Sequence, residues 1–142
     1  MIEHFRVAYR FEGVRREVLV HLYSSRDDFT KAAEAYSGEP MLEADGLFHP
    51  YGYSFNEGEV KATPGPLGVV LVHCDRLTVE VIAHEMTHAA MHQYFSVVAC
   101  NPTEEVDEHL HGGNEAVAYF VGAWTSQVVS ELHDRGYSVS TR

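Results

Sequence analysis

Several residue types that proteins need for particular tasks are scarce in this chain. Its 142 residues hold only ten Lys and Arg against 21 Asp and Glu, a net charge of −11, which disfavours nucleic acid or an anionic membrane as a partner. Cysteine occurs twice, as Cys74 and Cys100 outside any C-x-x-C pair, which excludes a disulfide framework and favours two reduced thiols. No apolar stretch reaches the roughly 18 residues of a membrane span, and the first residues show no signal-peptide pattern. We therefore expect one cytoplasmic domain over residues 1–142, without nucleic acid or membrane partners.

Histidine, in contrast, is abundant, and two of the ten histidines form an H-E-x-x-H motif. Residues 84–88 read His-Glu-Met-Thr-His. On a helix, His84 and His88 project from one face with side-chain roots about 6 Å apart, which suits joint ligation of one metal ion. Glu85 lies about 100° round the helix from His84, so it can take a proton from a water at the metal without being a ligand. The arrangement is that of zinc hydrolases, and it predicts Zn²⁺ as the cofactor.

The sequence around this motif is apolar and free of Gly and Pro. Residues 77–83 and 89–95 predict a buried helix, and Asp75 or Thr78 could cap its start. Burying two histidines and a glutamate is costly unless partners satisfy their polar atoms. A metal is the simplest common partner, although hydrogen-bonded core histidines would produce the same pattern.

Two elements are predicted near the N-terminus. Apolar and polar residues alternate imperfectly over 5–11 and 17–23, with turn residues at 12–15 between them, which indicates a β-hairpin. A short amphipathic helix then follows over 27–36, with Ser24 or Ser25 as its cap and Gly38 after its end.

Two further elements precede the motif helix. Residues 46–66 are rich in Gly, Pro and aromatics, and the alternation of Tyr51, Tyr53 and Phe55 indicates a strand followed by a loop at 64–66. The aromatic run 48–55 could line a pocket or pack in the core. Residues 68–73 form a continuous apolar run, which predicts a buried strand that leads into the motif helix.

The C-terminal third divides into a polar stretch and an apolar helix. Residues 103–111 are typical of a solvated loop or short helix, although Glu105, Glu108, His109 or His111 could instead lie at the mouth of an active site. After Gly112 and Gly113, a helix is predicted to open at Asn114 as its N-cap and to run to about residue 133, apolar almost all round.

A catalytic zinc site usually has three protein ligands, so one ligand is missing from the motif. Glu115 is the best candidate, because it is the acidic residue in the first turn of the predicted C-terminal helix. Small Ala118 and Gly122 on the same face would let that helix approach the motif helix closely. His92 is excluded, since one straight helix cannot arrange ligands at i, i+4 and i+8 around a tetrahedral ion. The polar stretch offers alternatives in Glu108, His109 and His111, and Cys74 is a further one.

These residues carry a resemblance to a known class of enzymes. His84-Glu-Met-Thr-His-Ala followed, 26 residues after His88, by Asn114-Glu-Ala-Val-Ala-Tyr-Phe-Val-Gly resembles the gluzincin metallopeptidases, in particular small ones encoded by bacteriophages and their bacterial relatives. The match covers residues 68–124. It implies that His84, His88 and Glu115 bind zinc and that Glu85 polarises the water. Thermolysin-type members orient the first histidine with an aspartate four residues after the ligand glutamate, whereas this chain has Tyr119 there, so that support must come from elsewhere.

The reaction expected from this site is metal-assisted hydrolysis of a peptide or protein substrate. Glu85 would take a proton from water and deliver it to the leaving amine. Tyr119, His109 and His111 are candidates for stabilising the oxyanion, although Tyr119 could instead pack as a core aromatic. The strand over 69–73 could present an exposed edge on which an extended peptide would pair.

Other functions remain open at this stage. A peptide deformylase would carry a Glu-Gly-Cys-Leu-type motif, whereas Cys74 stands in Val-His-Cys-Asp. A DNA-associated protease of the SprT-like kind is disfavoured by the acidic balance. A zincin-like binding or regulatory module, with a metal site but weak or no hydrolysis, is the main alternative, because the chain is small and departs from the pattern at Tyr119. In either case we expect an α+β fold: a minimal zincin-like domain with a small, mostly antiparallel sheet packed on the motif helix and on the helix that bears Glu115.

Overall fold

The fold begins with the predicted hairpin and helix. In the computed structural model, β1 (Glu3–Phe11) pairs antiparallel with β2 (Val14–Tyr23). Glu12 and Gly13 both have positive φ, 49° and 80°, as a two-residue hairpin loop of the I′ type requires. Helix α1 (Arg26–Ser37) is capped by Ser25, whose hydroxyl accepts the Asp28 amide, and it ends at Gly38 in the left-handed conformation. Both predictions are confirmed.

The structure describes the backbone at residues 1–56, 59–62, 65–100 and 106–142, and the side chains at 1–52, 65–94 and 115–142. The predicted strand within 46–66 corresponds to three short strands in the backbone: β3 (Leu47–Pro50), β4 (Tyr53–Asn56) and β5 (Glu59–Ala62). The predicted alternation of Tyr53 and Phe55, and the loop at residue 64, lie outside the described side chains and backbone.

The predicted buried strand is β6 (Gly68–His73), and all six of its residues are buried. The main sheet has the order β1-β2-β6-β3, with β6 parallel to β2 and antiparallel to β3, while β4 and β5 pair separately. The fold is thus α+β with a small mixed sheet, as expected in its class: the described strand pairs are antiparallel except for the parallel β2–β6 pair. The predicted exposed edge at 69–73 is wrong, because strands lie on both sides of β6. The edge strands are β1 and β3.

The motif lies in helix α2 (Val79–Cys100), as predicted. A short 3-10 turn (Cys74–Arg76) joins β6 to this helix. Of the two predicted caps, Thr78 fills the role, since its hydroxyl accepts the Val81 amide at 3.1 Å, whereas Asp75 accepts the backbone amide of Arg26. The C-terminal tail also holds this helix start: Ser140 accepts a hydrogen bond from the Val79 amide and donates one to the Leu77 carbonyl.

Helix α3 (Val106–Asp134) starts eight residues before the predicted N-cap at Asn114, so that prediction is wrong. Gly112 and Gly113 lie inside the helix instead of closing a loop. A helical glycine costs only about 1 kcal/mol relative to alanine, and tertiary packing outweighs such costs. The expectation of a helix that is apolar almost all round is also corrected. In the described part of the helix, the buried residues form one stripe, which consists of Phe120, Trp124, Val128 and Leu132.

The sheet separates two apolar layers. On one face, α1 packs Phe29 and Ala33 against Val69 and Leu71. On the other face, α2 and α3 cover the larger core, whose fully buried members are Val18, Val20, Leu22, Val70, Val72, Ile82, Met86, Ala89, Trp124, Val128 and Leu132. Within the described ranges, no helix is long and apolar enough to cross a membrane.

Candidate metal centre

The motif residues point to different sides of α2. The helix buries Val81, Ile82, Met86 and Ala89 toward the core, which leaves His84 and His88 on its outer face. Both histidines are exposed, so the expectation that the helix buries them with Glu85 is wrong, and their Nε2 atoms lie 3.2 Å apart. The apolar periodicity of the helix therefore turns the two imidazoles together toward the protein surface.

This separation can be compared with the geometry of a tetrahedral zinc site. Two imidazole nitrogens at 2.0–2.1 Å from one zinc ion, with a tetrahedral angle between them, lie about 3.3 Å apart. The 3.2 Å between His84 Nε2 and His88 Nε2, at which the two rings are also within hydrogen-bond distance of each other, is close to that separation. These two side chains fit joint ligation of a zinc ion.

Glu85 lies behind the histidines and is buried, with 6% of its surface exposed. One carboxylate oxygen is 3.9 Å from His84 Nε2. Burial raises the pKa of Glu85, while His84 and a hydrogen bond from the Phe48 backbone oppose the shift. The carboxyl group is thus held at the centre by strand β3 and has a raised affinity for a proton.

Gly46 permits this contact between β3 and α2. A β-carbon at residue 46 would lie 2.9 Å from Val81 Cγ1 and 3.0 Å from Glu85 Cγ, both closer than van der Waals contact allows. Only glycine therefore lets the chain pass this close to Glu85. Sequence reasoning missed this residue, since Gly46 stands in a stretch whose glycines are typical of loops.

Ion pairs fix the segment that carries Gly46. The Asp45 carboxylate forms two ion pairs, with Oδ1 2.5 Å from Arg26 Nη2 and Oδ2 3.1 Å from Arg76 Nε. Arg26 also donates to the Ala44 carbonyl. Residue 45 is therefore held from α1 on one side and from the 3-10 turn on the other.

Two cavities meet at Gly46, His84 and Glu85. The larger is an open cleft of about 620 Å³ between β3 and α2, lined also by Met41, Leu47, Phe48, Pro50, His88, Met91 and His92. The smaller, of about 270 Å³, is lined also by Ala44, Asp45, Arg76, Glu80 and Val81. Gly46, His84 and Glu85 therefore lie at the junction of the two cavities, with the larger on one side and the smaller on the other.

The other predicted site residues lie on α3. Glu115 is exposed on a face shared with Ala118, Tyr119 and Gly122, which are exposed too. A β-carbon at Gly122 would meet nothing within 4 Å, so the expected close approach through these small residues is not found. Tyr119 is 50% exposed and stacks on Phe11 at the end of the hairpin, with ring centroids 5.0 Å apart. The roles of Glu115 as a ligand and of Tyr119 in catalysis stay predictions.

Among the described side chains, no group of three His, Cys, Asp or Glu residues is arranged to hold a metal ion. Cys74 is a free cysteine on the surface, and partial desolvation of its sulfur together with the nearby Asp75 carboxylate raises the pKa of the thiol. The alternative ligands Glu108, His109 and His111, the residue Glu105, and Cys100 lie outside the described side chains. His92 lines the cleft and hydrogen-bonds to the Tyr51 backbone. The described part of the centre consequently has two paired, exposed histidines and one buried carboxyl group.

Comparison with known proteins gives no relative: no protein-family model, curated protein or solved structure matches the chain. What is established is an α+β domain with a paired-histidine cleft.

Proposed function

We propose that this protein is a zinc-dependent metallopeptidase, in which His84 and His88 bind the metal and Glu85 is the general base. The observation that carries the proposal is the 3.2 Å separation of the two histidine Nε2 atoms beside a buried carboxyl group. A pair of core histidines would be hidden from solvent, whereas these two line an open cleft. The arrangement thus favours ligation over packing.

The chemistry divides between the metal and the chain. A bound zinc ion would polarise the scissile carbonyl and make water a stronger acid. The Glu85 carboxylate takes the water proton and later gives it to the leaving amine. Its hydrogen bond from the Phe48 backbone fixes the carboxyl orientation, so that proton transfer begins from one defined geometry.

Glu115 is proposed as the third ligand. The support comes from the motif pattern on α3, since Glu115 is not among the residues that line the two cavities at the motif. Zinc affinity of a Glu115→Ala variant tests the assignment directly. A loss of affinity well beyond about 100-fold would exceed the cost of removing an outer-shell partner and match removal of a ligand, while unchanged affinity would move the assignment to another residue.

The function is tested by measuring zinc content and peptide cleavage for the wild type and Glu85→Gln. We expect both proteins to bind one zinc ion, because Glu85 is not a ligand. Only the wild type should cleave a mixed peptide library. Glu43→Gln is the matched control, since it makes the same chemical change at an exposed carboxyl group and should leave cleavage unchanged.

A second candidate is a zinc-holding binding or regulatory module. It is favoured by the lack of a three-residue ligand group among the described side chains. Zinc binding by the wild type without any Glu85-dependent cleavage would support this module and reject the peptidase.

A further inference from the structure

We propose that Arg6, Arg10 and Arg15, on one face of the β1–β2 hairpin, bind an extended acidic segment of a partner protein. We call these three residues the arginine face. The inference is independent of the proposed function, because the arginine face lies on the opposite side of the sheet from helix α2 and its motif.

Strand geometry places the three arginines on the same side of the sheet. Side chains alternate between the two faces along a strand, and the odd residues of β1 and the even residues of β2 supply the core beneath α2 and α3. Arg6, Arg10 and Arg15 therefore project on the α1 side, where Leu19 of β2 joins the other core cluster. The side chains of Arg6 and Arg15 are 59% and 48% exposed, and Arg10 is exposed too.

The register of the hairpin sets two of these charges against each other. Arg10 lies directly opposite Arg15, and like charges at such positions destabilise a sheet. Arg10 donates only to the Gly13 carbonyl among the described groups, while Arg6 and Arg15 share the Glu17 carboxylate at 3.5 and 2.9 Å. Three guanidinium groups thus face a single carboxylate, and the excess positive charge is open to an anionic partner.

The hairpin is the basic part of an acidic chain. Residues 1–23 hold four of the ten Lys and Arg, all of them arginine, and three of the 21 Asp and Glu. The other 119 residues therefore hold six basic and 18 acidic residues. Arginine forks match the geometry of carboxylates and bind them through paired hydrogen bonds. The composition of the hairpin consequently fits recognition of carboxylate groups.

The spacing of the arginines fits an extended peptide. Arg6 and Arg10 are four residues apart on one strand, which corresponds to about 13 Å, and an extended peptide repeats its side chains on one side about every 7 Å. Acidic residues at alternate positions can therefore reach both ends of the face, across the small side chain of Ala8. Backbone pairing is blocked at this point of the edge, because Gln127 already bonds the N–H and C=O groups of Ala8. Side chains must then provide the recognition.

The same features favour a short acidic segment over a nucleic acid or an anionic membrane. Affinity for a polyanion grows with the number of phosphates that are neutralised, and three arginines reach only a few of them. The 119 residues outside the hairpin carry a net charge of −12, counting their six basic and 18 acidic residues. That charge repels a long polyanion, which passes beyond the arginine face.

The test measures binding of a fluorescent, short peptide of alternating Glu and Thr to the full chain by fluorescence anisotropy. The comparison peptide has Gln in place of each Glu. At low ionic strength we expect the Glu peptide to bind at least about 10-fold tighter than the Gln peptide. Added salt should reduce this difference, because it screens exposed charges.

Variants connect the binding to the arginine face. The double variant Arg10→Gln/Arg15→Gln should bind the Glu peptide about 10-fold more weakly than the wild type. Lys31→Gln/Arg142→Gln is the matched control, because it removes the same charge at exposed residues outside the hairpin, and its affinity should be unchanged. Thermal melts followed by circular dichroism confirm folding, and the hairpin variant should melt no lower than the wild type, since it removes a like-charge pair.

The outcomes decide between the possible partners. Equal binding of the Glu and Gln peptides, or equal losses in the two double variants, would overturn the arginine face. Tighter binding to single-stranded DNA or to phosphatidylserine vesicles than to the Glu peptide would overturn it in favour of a polyanion. Self-association of the wild type that Arg10→Gln/Arg15→Gln abolishes would overturn it in favour of a second copy of the chain. Peptide binding that depends on Arg10 and Arg15 would support it whether or not the protein cleaves peptides.

Discussion

The backbone of Gly46 lies against the side chain of Glu85. A β-carbon at residue 46 would come within 3.3 Å of Glu85 Oε1 as well as meeting its Cγ. The backbone just before β3 therefore lies against the Val81 and Glu85 side chains with no room for a β-carbon. A larger residue at position 46 would therefore displace the Glu85 carboxyl group, although the two residues are far apart in the sequence.

We predict that Gly46→Ala displaces Glu85 and lowers activity more than stability. The added methyl group must push back Val81 or the Glu85 side chain, at a cost of about 1–3 kcal/mol in unfolding free energy. Peptide cleavage should fall at least about 10-fold, because a displaced base is out of line with the water. Zinc content should not change. Gly52→Ala is the control, since a β-carbon there meets nothing within 4 Å, and equal activities of the two variants would contradict the prediction.

Zinc should stabilise the folded chain through His84 and His88. A ligand present at 100 times its dissociation constant adds about 2.7 kcal/mol to the unfolding free energy. We expect zinc to raise the melting temperature of wild type and a chelator to reverse the effect. His84→Ala should remove the response, whereas His133→Ala, which changes an exposed histidine at the end of α3, should keep it. A zinc response that His84→Ala leaves intact would place the metal elsewhere.

Gln127 closes the free edge of β1, and its loss should destabilise the protein. Its side-chain oxygen accepts the Ala8 amide at 3.0 Å and its nitrogen donates to the Ala8 carbonyl at 2.7 Å. Gln127→Leu leaves both backbone groups without these partners, which we expect to cost about 1–3 kcal/mol in urea unfolding. Exposed Ser130→Ala on the same helix serves as the control. A cost below about 0.5 kcal/mol would mean that water replaces the amide fully.

Buried His73 should make stability depend on pH. It is fully buried against Phe29, and in the described structure neither ring nitrogen has a hydrogen-bond partner. Burial lowers the pKa of His73, as do Arg26 and Arg76, while Asp75 and Asp45 oppose the shift. The unfolded chain therefore takes up the proton first, and stability is lost as pH falls below about 6.5, by at most about 1.4 kcal/mol per pH unit.

His73→Leu removes this contribution and also two unpaired polar atoms. Its unfolding free energy at pH 8 should equal or exceed that of the wild type. The difference between the two proteins should grow in favour of the variant as pH is lowered from 7 toward 5. Parallel stability curves for the two proteins over this range would show that His73 does not titrate between the folded and unfolded states.

The local elements could be predicted from the sequence because local rules decide them. Period-2 alternation and a two-residue turn specify the hairpin, and Ser25 and Gly38 mark the ends of α1. The start of α3 could not be predicted, since Gly112 and Gly113 are unfavourable in a helix by propensity alone.

The candidate site could be predicted in part for the same reason. The spacing of His84, Glu85 and His88 depends only on one helix, so the motif was visible in the sequence. The position of β6 inside the sheet depends on pairing with β2 and β3, which are remote in sequence. Gly46, which directly precedes β3, likewise enters the site through that pairing.

The hydrogen bond between the Phe48 backbone and Glu85 has a consequence for self-association. An open sheet edge is a template for pairing with another chain. At the β1 edge, the Gln127 side chain engages the backbone groups of Ala8. At the β3 edge, the Glu85 carboxyl group accepts a hydrogen bond from the Phe48 backbone, and Pro50 has no N–H group. We therefore expect Glu85 to hinder the pairing of a second chain with the β3 edge. Glu85→Gln retains an oxygen that can accept from Phe48, but Glu85→Ala does not, and it should form dimers or larger species at concentrations where Glu85→Gln stays monomeric.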